Sequence, residues 1–98
     1  MSKKEIIGLL QEVLTFHDDV EKAYSLPDPS SVLQEKYGKE GAYYIFTHLD
    51  IYGEKIIIFQ LADWNSGNHN YWIKILINGI IQLEKIEFVK GLLKIFQD

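Results

Sequence analysis

The chain has 98 residues, 47% apolar and 24% charged, which suits one hydrophobic core rather than two and lies outside the composition of disordered chains. Its formal charge is −4, with ten lysines and no arginine; this argues against a broad phosphate-binding surface and against guanidinium contacts to base edges, so no nucleic-acid partner is expected. The absence of cysteine excludes a disulfide framework, a thiolate nucleophile and Cys-based metal centres.

At the N-terminus, Ser2 followed by Glu5 has capping-box spacing and marks a helix start. Apolar side chains then recur at helical intervals at Ile6, Leu9, Leu10, Val13, Leu14, Phe16, Val20 and Tyr24, with Gln11, Thr15, Asp18, Asp19 and Lys22 opposite. This predicts an amphipathic helix ending near Tyr24. Polar residues interrupt its apolar run, so it is neither a signal segment nor a membrane span. A cytoplasmic protein is expected, with no membrane contact and no cofactor.

The stretch Leu26-Pro27-Asp28-Pro29-Ser30 favours extended backbone, because proline disfavours a helical residue before it. Ser31 and Gln34 repeat the capping-box spacing, and a short helix over Val32 to Tyr37, closed by Gly38, follows.

Ala42 to Tyr52 and Lys55 to Ala62 are rich in Tyr, Ile, Phe and Thr, and Gly53-Glu54 between them suits a two-residue type II′ turn. That turn pairs Ile51 with Ile56, Leu49 with Ile58, Thr47 with Gln60 and Ile45 with Ala62 on one face. The opposite face carries Phe46, His48, Ile57, Phe59 and Leu61, with Asp50 near the turn. Tyr71 to Ile77 and Ile80 to Leu83 flank Asn78-Gly79, the preferred type I′ dipeptide. A last amphipathic helix starts near Ile86, with Val89, Leu92, Leu93, Ile95 and Phe96 on its stripe.

The expected architecture is a single α+β domain over residues 1–98: an N-terminal amphipathic helix, a short second helix, a four-stranded antiparallel meander and a C-terminal amphipathic helix. Antiparallel sheets usually keep one face polar, and here neither face is. Loop lengths allow the two long helices to cover one face or one face each. In the first arrangement the bare face exposes a patch that calls for a protein partner or a homodimer.

Three groups of residues are candidates for function. His17, with Glu21 one turn onward, fits a core histidine better than a catalytic base, because spacing supplies no further ligand. His48 and Asp50 share a strand face and, with Asp63 and His69, form an alternative ligand-binding or hydrolytic set at a sheet end. The loop containing Asp63, Trp64, Asn65, Asn68, His69, Asn70 and Trp72 combines large aromatic area with adaptable amides, a composition suited to partner binding. No metal cluster and no set of nucleophile, base and orienting group emerges, so an interaction protein is favoured over an enzyme. The leading expectation is a small acidic protein that binds another protein, of the immunity, antitoxin or inhibitor kind. The alternatives are a ligand-binding protein or hydrolase and a structural homo-oligomer subunit.

Overall fold

The computed structural model describes residues 1–38, 41–64 and 69–98. Helix α1 spans Lys3–Tyr24, α2 Pro29–Tyr37 and α3 Ile86–Gln97; strands β1 (Ala42–Ile51), β2 (Glu54–Asp63), β3 (Asn70–Ile77) and β4 (Ile81–Leu83) form one antiparallel sheet in chain order. The α+β meander read from the sequence is the observed fold.

The capping box forms as expected: Glu5 N–H donates to Ser2 Oγ at 3.1 Å and Ser2 N–H to Glu5 Oε1 at 3.3 Å. Helix α2 starts earlier than expected. Its N-cap is Asp28, which accepts from Ser31 N–H and both Ser30 and Ser31 hydroxyls, and Pro29 occupies the first turn, where its missing N–H costs nothing. Gly38, at φ 64°, closes the helix as foreseen.

The first hairpin corrects the expected register. Tyr52 and Gly53, at φ 53° and 84°, form the two-residue turn, so the turn has the type I′ pattern of two positive φ values. Leu49 therefore faces Ile56 and Thr47 faces Ile58, two residues from the expected pairing. A slip of two preserves side-chain parity, so the division of residues between faces is unchanged. Open space surrounds a Cβ placed at Gly53, which leaves backbone strain as the cost of adding one. Gly53→Ala is expected to destabilise by about 1 kcal/mol, read as a lowered urea midpoint at constant slope.

The second hairpin uses Asn78-Gly79 (φ 52° and 72°), but Ile80 joins the turn instead of starting β4, and Ile77 pairs with Ile81. This extra residue sets the parity of β4. Leu83 lies opposite Ile75 on the helix side and Gln82 opposite Leu76 on the other; a two-residue loop would exchange them.

All three helices lie on one side of the sheet. Ile6, Leu10 and Val13 of α1 and Ile86, Val89 and Phe96 of α3 pack on Leu49, Ile51, Ile56, Ile58, Ile73 and Ile75. Phe16, Val20, Ala23 and Leu33 of α1 and α2 pack with Ala62 and Trp64. Lys36 Nζ meets Asp19 at 2.6 Å, and Tyr37 Oη donates to the same carboxylate at 2.6 Å, pinning α2 to α1. Burial alone would raise the Asp19 pKa; the two contacts outweigh it and hold the carboxyl below its usual value. Ile95, read as part of the α3 stripe, is 69% exposed, because α3 turns its Ile86, Val89 and Phe96 side toward the core.

Candidate functional site

Among the described residues, no element covers the second sheet face. Tyr44 and Phe46 are 60% and 54% exposed, and Ile57, Phe59, Leu61, Trp72 and Leu76 are half-buried beside them. Phe46 and Phe59, cross-strand partners, stack with ring centroids 4.2 Å apart at 8°. Tyr44 and Trp72 approach Phe59 edge-on at 6.0 and 5.0 Å, and Lys74 Nζ lies 5.0 Å from the Trp72 ring centroid. A depression of about 230 Å³ is lined by Phe46, Ile57, Phe59, Lys74 and Leu76 together with β4. Aromatic side chains held by a sheet offer contact area with little ordering cost, which suits binding to an apolar surface. Chain order hides this cluster, since its four rings come from three strands.

On the covered side, Gln60 is fully buried and donates to Val13 O at 3.0 Å and to Tyr71 Oη at 3.1 Å. Tyr71 Oη lies 2.9 Å from His17 Nδ1. The assignment that uses each proton once has the Tyr71 hydroxyl donating to His17 Nδ1. Thus His17 is held by a phenol from β3 rather than by Glu21, with its ring half-buried against Tyr71. Gln60 Oε1 and Trp64 Nε1 are buried and make no hydrogen bond among the described residues.

The alternative hydrolytic set does not assemble. His48 lies opposite Ile57, whereas Asp63 lies six residues further along β2, opposite Asn70, a separation of roughly 20 Å at strand rise. Asp50 instead accepts from Gly53 N–H at 3.2 Å and stabilises the turn. His69 stacks on Tyr24 at 5.2 Å, whose hydroxyl donates to Asp63 O and Asn70 O at 3.1 and 2.7 Å. Among the described residues, no group of three or more His, Asp or Glu is placed to hold a metal ion.

The loop read as a partner-binding surface divides. Trp64 is 4% exposed and packs in the core with Phe16 and Leu33, so its indole, expected at the binding surface, is unavailable to a partner; its backbone N–H donates to Gly41 O at 2.7 Å. Trp72 lies on the bare face, Asn70 is exposed, and Asp63 and His69 are half-buried at the strand ends. Asn65 and Asn68 lie outside the described residues.

Tyr71 and Tyr24 hydroxyls are each pushed up to about 12. Burial is the main cause in both, aided by Glu21 and Asp18 at Tyr71 and by Asp63 at Tyr24, and opposed by the hydrogen bonds to Gln60 and Asp63. A phenol ionises at about 10 when unfolded. Because the folded values are higher, the stability these groups contribute is complete below about pH 10 and lost as pH rises toward 12. Thermal melts across that window, followed with phenolate absorbance, are expected to show a falling Tm and tyrosines that ionise late. One ionisation step near pH 10 at constant Tm would exclude it.

The chain matches no protein-family model, no curated protein and no solved structure. No helix among the described residues is long and apolar enough to cross a membrane.

Proposed function

We propose that this chain is a small acidic protein-binding protein, of the immunity, antitoxin or inhibitor type, that engages its partner through the bare sheet face. The observation that carries the reading is the one-sided placement of the helices, which leaves Tyr44, Phe46, Phe59 and Trp72 outside the core as one connected aromatic cluster. Contiguous apolar surface of this kind on a small protein marks an interaction site. A net charge of −4 favours encounter with a basic partner.

Affinity capture from the native host, run in parallel with the wild type and a Phe46→Lys/Phe59→Lys variant, tests this. A basic protein retained in stoichiometric amount by the wild type and lost with the variant is the expected result. Equal retention by both, or no stoichiometric partner, would overturn it. Light scattering over a concentration series covers the remaining occupant: reversible dimers abolished by the same variant would assign the face to a second copy and refute the foreign partner.

A further inference from the structure

Strand β3 has eight residues, but β4 pairs only with Ile75–Ile77. Among the described residues, Asn70–Lys74 therefore have a strand on the β2 side alone. Ile77 O accepts from Ile80 N–H at 3.1 Å on the β4 side, whereas Asn78 N–H turns to Lys55 O of β2 at 2.7 Å. Backbone groups alternate direction along a strand, so Tyr71 and Ile73 aim N–H and C=O outward, past the end of β4.

This free edge forms one wall of a cleft of about 770 Å³, opposite His17 and Glu21 of α1 and the run Glu84–Glu87 that enters α3. Among the described residues the strand β1 also has no strand on its outer edge; the β3 edge is distinguished by its recess and by its charge. Glu21, Glu84 and Glu87 line the cleft with no ion pair among the described residues, and they outnumber its two cations, Lys74 and Lys85. Lys74, a charge that could guard the edge, is laid over Trp72. The rise in the Tyr71 pKa, chiefly from burial, also reports the negative field of Glu21 and Asp18 in this corner.

We infer that the β3 edge accepts an extended peptide segment carrying a lysine or arginine, which adds as a strand beside Tyr71–Lys74 and sets its cation among Glu21, Glu84 and Glu87. An unpaired strand edge specifies its occupant through spacing: only another extended backbone presents donors and acceptors at the repeat of Tyr71 and Ile73. The inference deepens the proposed function and rests on it, because an added strand would continue the bare face beyond Trp72 and so belong to the same partner.

Linear peptides selected from a phage-displayed library against the intact chain provide the probe. Enriched peptides are expected to alternate β-branched or aromatic residues with polar ones, to contain Lys or Arg, and to slow hydrogen exchange at the Tyr71 and Ile73 amides. Glu21→Lys and Glu84→Lys are each expected to weaken binding about tenfold. Ile73→Pro, which removes an outward N–H, is expected to abolish it; the exchange measurement on the wild type stands independently if that variant misfolds. No enrichment, or enriched peptides that leave the Tyr71 and Ile73 amides unprotected, would overturn the inference. Peptides that bind normally to Phe46→Lys/Phe59→Lys while the captured partner does not would separate this edge from the face.

Discussion

Phe16→Ala is expected to lower the unfolding free energy by about 3–5 kcal/mol, the cost of removing a buried aromatic ring and leaving its cavity. Phe16 is 2% exposed and meets the edges or faces of Tyr37, Tyr43 and Tyr71 at 5.2, 5.7 and 6.2 Å. It thus joins α1 to α2, β1 and β3 at once. Since small domains are stable by only about 5–15 kcal/mol, the variant should carry a measurable unfolded fraction. Urea denaturation provides the measurement: a midpoint shift equivalent to less than about 1 kcal/mol would show that the ring trio repacks.

The second large effect concerns binding rather than folding. Phe46→Lys/Phe59→Lys is expected to weaken the captured partner by at least about 30-fold, the loss usual for central aromatic anchors. The stacked pair contributes about 0.5–1.5 kcal/mol to folding beyond its area, and the mutated positions face away from the helices, so stability should fall modestly. Equilibrium titration of the captured partner, paired with melts of both proteins, separates the two quantities. A melt that falls as far as that of Phe16→Ala would mean that the bare face belongs to the core.

Element order and face assignment were legible because they depend on periodicity, which is local. The two-residue offset in the β1–β2 register leaves the faces intact for the same reason, and it stems from a glycine that suits either Gly53-Glu54 or Tyr52-Gly53 as the turn. The single-residue extension at Ile80 was harder to foresee, since Asn78-Gly79 alone satisfies a hairpin. Which side the helices cover was not legible, as the connecting segments reach both. His17 exposes the same limit at the level of one side chain. Its partner Tyr71 lies 54 residues away, and Glu21, one turn along the helix, was the only partner that local spacing offered. The Asp28 cap carried a usable signal in the proline that follows it.

The shared core of α1 and α3 bears on how the molecule is made. Ile58 and Ile75 share one core cluster with Ile6 and Leu10, which precede the sheet in the chain, and with Val89 and Phe96, which follow it. A nascent chain can therefore build both hairpins and still hold a half-roofed sheet until α3 leaves the ribosome. With one face uncovered and the other awaiting α3, that interval exposes apolar surface on both sides, and aggregation during synthesis competes with folding. Variants that weaken α3 should accordingly reduce soluble yield more than their equilibrium stability implies.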